Sequence, residues 1–182
     1  IDTVYHFAAD GSLIKSFGKG LIIFPHGIHV DRDGNVWVTD GNDNAPAPAR
    51  GAAPAAGAAP AARGPAPTAP NPAATKGHQI WKFSPNGDVL LTIGKAGGAT
   101  GPTECCWQPN DVITNAAGEI FVAEGHGQNP NDRIIKFDKT GKFVQAWGKR
   151  GTGDTEFNQP HTLAFDSQGR LFVGDRGNNR IT

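Results

Sequence analysis

Residues 159–175 read QPHTLAFDSQGRLFVGD, and this stretch decides the fold. A short apolar run (Leu163 to Phe165) meets a polar turn containing Gln168-Gly169, and an alternating run (Leu171 to Val173) follows. Period-two alternation buries one side of a strand, and glycine supplies the backbone conformation of a tight turn, so the stretch predicts a β-hairpin. The same pattern occurs twice upstream. Pro25 opens PHGIHVDRDGNVWVTD and Gln108 opens QPNDVITNAAGEIFVAE, with turns at Asp33-Gly34 and Ala117-Gly118.

Two more strands follow each of these upstream hairpins. Ile80-Trp81-Lys82-Phe83 and Ile134-Ile135-Lys136-Phe137 are third strands; Val89 to Ile93 and Phe143 to Trp147 are fourth strands, each ending in Gly-Lys. Four antiparallel strands in a period of about 50 residues is the sequence signature of a β-propeller blade. The fold class expected is therefore all-β. Residues 1–24 read as a half blade, 25–102 as a blade, 103–157 as a second blade and 158–182 as another half blade. An open set of blades leaves apolar faces uncovered, so the native protein is expected to be longer.

One stretch interrupts the period. From Ala45 to Thr75, 15 of 31 residues are alanine and 8 are proline. Alternating proline suppresses helix and alanine offers little to bury, so this insert is expected to be a mobile, extended loop between the second and third strands of its blade. With it set aside, the spacing from Pro25 to Pro109 falls to the common period.

Composition narrows the partners. Lys plus Arg and Asp plus Glu are 17 each, for a net charge of +0, so nothing calls for nucleic acid or an anionic membrane. No apolar run approaches the roughly 20 residues of a membrane helix. Cys105 and Cys106 are adjacent, which excludes a disulfide framework. Two free thiols are the simpler expectation, a vicinal disulfide the alternative.

Strand counting gathers the chemistry. In a four-stranded meander, the start of the innermost strand and the connection between the second and third strands lie on one face. His26 and His161 open innermost strands, whereas His126 and Arg176 lie in such connections. Converging imidazoles suit zinc, which takes nitrogen donors and keeps an open position in catalytic sites. For a single histidine a capping role is the commoner one, but recurrence at one blade position shifts the balance. Asn110 fills that position in the middle blade. His6, His29 and His78 read as packing or hydrogen-bonding residues, and Trp37, Trp81 and Trp147 as core.

The strings LIIFPHGIHVDRDGNVWVTD, QPNDVITNAAGEIFVAEGHG, RIIKFDKTGKFVQAWGKRG and QPHTLAFDSQGRLFVGDRGNNRI resemble NHL repeats, and specifically those of the peptidyl-α-hydroxyglycine α-amidating lyases and their bacterial relatives. The resemblance implies a propeller of six blades, about half of which are present here, with zinc on three axial histidines and calcium deeper in the channel. His26 and His161 match two zinc ligands, the backbone carbonyl of Ile28 a calcium ligand, and Arg176 an active-site arginine. The third zinc histidine would lie outside this chain. His126 stands where the family has its proposed catalytic tyrosine, which leaves it as a base, as a further metal ligand, or as a mark of lost activity. The family's disulfide in this blade does not carry over, because Gly127 stands where the partner cysteine would be.

The implied reaction is cleavage of a carbinolamide C–N bond in a small peptide or amide-containing substrate, giving an amide and glyoxylate. A secreted or periplasmic location goes with the resemblance. Two rival readings stay open: a non-enzymatic NHL propeller that binds a protein or glycan, and a calcium-dependent lactonase-like hydrolase, which relies on acidic axial ligands where this chain offers histidine.

Overall fold

The computed structural model describes residues 1–45, 69–126 and 131–182. Its strands are β1 (Val4–Phe7), β2 (Leu13–Phe17), β3 (Pro25–Val30), β4 (Val36–Asp40), β5 (Ile80–Phe83), β6 (Val89–Ile93), β7 (Pro109–Thr114), β8 (Ile120–Glu124), β9 (Arg133–Phe137), β10 (Phe143–Trp147), β11 (Pro160–Phe165), β12 (Leu171–Asp175) and β13 (Arg180–Ile181). A 3-10 turn, Arg176–Asn178, precedes the last strand. They form a β1-β2 hairpin, two four-stranded antiparallel sheets (β3-β4-β5-β6 and β7-β8-β9-β10) and a three-stranded sheet β11-β12-β13. The part of a blade expected over residues 158–182 comprises the first three strands of a further meander. No helix among the described residues is long and apolar enough to cross a membrane.

The repeating hairpin has a local cause. Asp31 Oδ1 accepts the N–H groups of Asp33 and Asn35, and Gly34 N–H closes the turn onto the Asp31 carbonyl. Asn115 does the same for Ala117 and Glu119, with Gly118 returning to its carbonyl. Gly34 and Gly118 have φ of 80° and 81°, so a polar first residue and a left-handed glycine together write each turn.

Alternate side chains then pack toward opposite neighbours. Val112, Val122 and Ile135 of the middle sheet join Trp37, Ile80 and Ile93 of the sheet before it. Ile113, Phe121 and Ile134 join Leu163 and Val173 of the sheet after it. Covered on both faces, β8 is buried at all five positions. The outward faces of the end sheets keep Tyr5, Phe7, Leu13 and Phe172 exposed. Trp37 is fully in the core, while Trp81 and Trp147 pack at its margins.

A buried acid at the end of each second strand locks the start of the innermost strand. Asp40 accepts the N–H groups of Ile23 and Phe24 at 2.9 and 2.7 Å, just before Pro25. Asp175 accepts Asn158 N–H at 2.7 Å, just before Pro160. Glu124 takes the N–H of Trp107 in the middle blade. Two of these acids face an arginine across the ladder, Arg133 for Glu124 (3.2 Å) and Arg180 for Asp175 (3.0 Å). These arginines also bind carbonyls of the preceding loop, Gly101, Pro102 and Glu104 for Arg133. In the blade that carries the insert, Gln79 stands opposite Asp40 instead, and burial raises the Asp40 pKa.

The alanine-proline stretch lies mostly outside the described residues, and so does the expectation that it is mobile. Its base is closed. Asn44 Oδ1 accepts the N–H groups of Thr75 and Lys76, its Nδ2 donates to Thr75 Oγ1, and Asp43 bridges to Gly77.

Candidate functional site

The innermost strands β3, β7 and β11 lie side by side, β7 packing against both others. Each carries one extra residue relative to its partner strand directly after its proline: between Pro25 and Ile28, between Pro109 and Asp111, and between Pro160 and Thr162. A β-bulge re-aims the side chain it carries. Here the three bulges fall on His26-Gly27, Asn110 and His161. Gly27 is required for a second reason, since a Cβ there would lie 2.6 Å from the Asn110 carbonyl oxygen.

His26 and His161 converge. Their ring centroids are 4.8 Å apart, and His126, at the end of the connection from β8, completes a triangle at 5.5 Å from His26 and 5.9 Å from His161. The ligating nitrogens of all three lie within 4.8 Å of one another. All three residues are half-buried. Sequence reasoning placed the first two at one axial point and left His126 as a facing residue of open role; the structure makes it an equal corner.

The surroundings disfavour a charge on two of the three rings. Burial lowers the His161 pKa to about 4, with His26, Arg176 and His126 adding to the fall. Burial lowers His126 as well, reinforced by His26 and Arg176. Arg176 opens the 3-10 turn and is exposed, so its cation borders the cluster on the solvent side. His26 Nδ1–H donates to the carbonyl of Asn110 at 2.9 Å, so Nε2 is the ring nitrogen left to face a ligand.

Converging imidazoles with one ring fixed by a backbone carbonyl are a donor set that zinc or another first-row divalent ion takes. The residues fit such an ion. Calcium requires several oxygen ligands. Ile28 lies on β3 two residues beyond His26 and is exposed. The nearby Asp111 carboxylate is occupied by the N–H groups of Val112 and Leu163.

A second cluster, Cys105, Cys106 and Glu124, is internal to the fold. The two cysteines are paired as a vicinal disulfide, which corrects the expectation of free thiols. Both are buried, and Glu124 is held by Arg133 and Asn131.

A further histidine is buried against the residues that lead into β7. His78 is fully buried, stacks on Trp107 at 4.4 Å, accepts Gln108 N–H on Nδ1 at 3.2 Å and faces Asp43 with Nε2 at 3.4 Å. Only its neighbourhood to the insert marked it in the sequence. The packing role expected of it holds.

The comparisons agree with the fold. Residues 157–182 match the family model described as NHL repeat. The chain is 30% identical over 180 residues to peptidyl-glycine alpha-amidating monooxygenase A of Xenopus laevis, covering 95% of this chain and 15% of that protein. It is 26% identical over 186 residues to peptidyl-alpha-hydroxyglycine alpha-amidating lyase 2 of Drosophila melanogaster, covering 99% of this chain and 36% of the relative. Among solved structures, a streptogramin B lyase superposes with a TM-score of 0.57 at 14% identity, over 97% of this chain and 42% of that one, which bears on the fold alone. The chain therefore spans well under half the length of each of these proteins. Sheets of antiparallel meanders set around shared innermost strands, with histidines at their bulges, define an all-β propeller. The chain carries an NHL repeat at residues 157–182 and is similar to the peptidyl-α-hydroxyglycine α-amidating lyases.

Proposed function

We propose that this chain forms part of a metal-dependent lyase that cleaves the C–N bond of a carbinolamide, releasing an amide and glyoxylate. One observation carries the reading: imidazoles from three blades converge on one axial point beside an exposed arginine. His26 and His161 would hold zinc. Bound there, zinc supplies a Lewis acid for the substrate hydroxyl.

The chain's own groups account for the rest. His126 is neutral at pH 7 and its nitrogen takes the hydroxyl proton. The oxygen then forms the carbonyl of glyoxylate, and the C–N electron pair leaves with the amide nitrogen, which takes up a proton. Arg176 binds the substrate carboxylate in a charge-assisted pair, holding the reacting carbon against the histidines.

A second role for His126, as a third metal ligand, is favoured by the mutual separation of the three ligating nitrogens. Substitution of His126 separates the two, as set out below. The overall reading is tested by glyoxylate release from a peptidyl-α-hydroxyglycine by the full-length protein, with metal content measured in parallel. Metal-loaded protein that releases no glyoxylate would overturn it.

A further inference from the structure

Asn110 holds on β7 the position that His26 holds on β3 and His161 on β11, directly after the proline. It points no imidazole at the axis, and it is 1% exposed. Its Nδ2 donates to the carbonyl of Gly125 at 2.5 Å and to the carbonyl of Pro160 at 2.7 Å. Gly125 and Pro160 are the residues immediately before His126 and His161. Its own carbonyl accepts His26 Nδ1–H at 2.9 Å and the Thr39 hydroxyl at 3.2 Å. One buried residue therefore bonds the backbone just before two members of the cluster and the ring of the third.

We propose that Asn110 is a positioning residue that sets the spacing and the free nitrogens of the three-histidine cluster, a role that rests on the reading of that cluster as a metal site. The planar amide has two hydrogens in fixed geometry, so it holds two carbonyls, and hence the two backbones from which His126 and His161 project, at a set separation. Both partners are carbonyl oxygens, so only the NH2 end of the side chain serves. Aspartate would bring no donor and would set a charge against two buried carbonyls; threonine offers one hydrogen for two acceptors. The backbone carbonyl meanwhile fixes the His26 tautomer with Nε2 free. The His-Asn-His order of the blades follows, with the middle position acting as the template between two ligands.

The test uses the full-length protein carrying Asn110→Asp or Asn110→Thr. Zinc affinity is measured by competition with a chelator, and NMR of the metal-free protein reads ring-proton NOEs among His26, His126 and His161. Zinc affinity is expected to fall roughly 10–100-fold in the aspartate variant and less in the threonine variant, with weakened NOEs between His126 and His161 while near-UV circular dichroism keeps its native form. Unchanged affinity and NOEs in a folded variant would overturn the proposal. If the aspartate variant does not fold, the threonine variant is judged by the same readouts; if neither folds, Asn110 serves the fold and the positioning role is wrong. A wild-type protein that binds no zinc defeats the metal reading alone, and the NOEs then decide the positioning role.

Discussion

His26 and His161 belong to alternate blades, yet their ring centroids stand 4.8 Å apart. The approach is produced by backbone, because each residue rides on a one-residue bulge at the start of an innermost strand. Neither ring is part of the apolar clusters between sheets. Chemistry and packing are thus separable, and substitutions can address one without the other.

His126→Ala tests the base against the ligand. As the base, His126 contributes about 10²–10⁴-fold to turnover, so the variant should lose activity on that scale while zinc content stays at the wild-type level. Loss of zinc together with activity would assign His126 to the metal instead. Turnover and metal content are measured on the same preparation.

His78 should make stability depend on pH. Burial lowers its pKa from 6.5 to about 4, against the pull of Asp43, so the folded state keeps it neutral where the unfolded chain is protonated. The unfolded state therefore binds the extra proton between these values, and the stability, fully present above about 6.5, is lost as pH falls toward 4. Protonation would also remove the acceptor that Nδ1 offers Gln108 N–H. Urea unfolding midpoints from pH 4 to 7 should rise with pH in the wild type and rise less steeply in His78→Gln. Equal slopes would contradict this.

Much of this was legible in the sequence, and the reason is locality. Each hairpin is written within a few residues by a polar turn opener, a left-handed glycine and alternating apolar positions, as at Asp31 to Asn35. The convergence of His26 and His161 was legible because the repeat places both at the same blade position. The bulges were not, since an extra residue shows only when two paired strands are counted against each other. Nor was the side-chain role of Asn110, whose partners lie 15 and 50 residues away. The pairing of Cys105 with Cys106 left no local signal that could outweigh the free-thiol expectation.

The buried Glu124–Arg133 pair should matter far more than an exposed one. Arg133→Met leaves a buried carboxyl without its cation, which burial already holds above its ordinary pKa, and frees the carbonyls of Gly101, Pro102 and Glu104. Chemical denaturation should show a loss of about 3 kcal/mol. Arg170→Ala, which removes the solvent-exposed pair with Asp166, should leave the unfolding midpoint close to that of wild type. Similar losses for the two variants would refute the assignment.

Deleting residues 46–68 should leave the fold intact. The closure by Asn44, Thr75, Lys76 and the Asp43–Gly77 bridge lies outside the deletion, and shortening a loop changes closure entropy only slowly. The thermal midpoint should stay within a few degrees of wild type. Failure of the deletion variant to fold would show that the stretch carries structural contacts.

The central claim is a metal site at the propeller axis that performs lyase chemistry, and its most direct test is glyoxylate release measured with zinc content in full-length wild type, His26→Ala and His161→Ala. The wild type should contain zinc and release glyoxylate from a peptidyl-α-hydroxyglycine. Each variant should lose both while keeping its circular dichroism and a stability within about 1 kcal/mol of wild type. Full zinc occupancy and unchanged glyoxylate release in both variants would contradict the account.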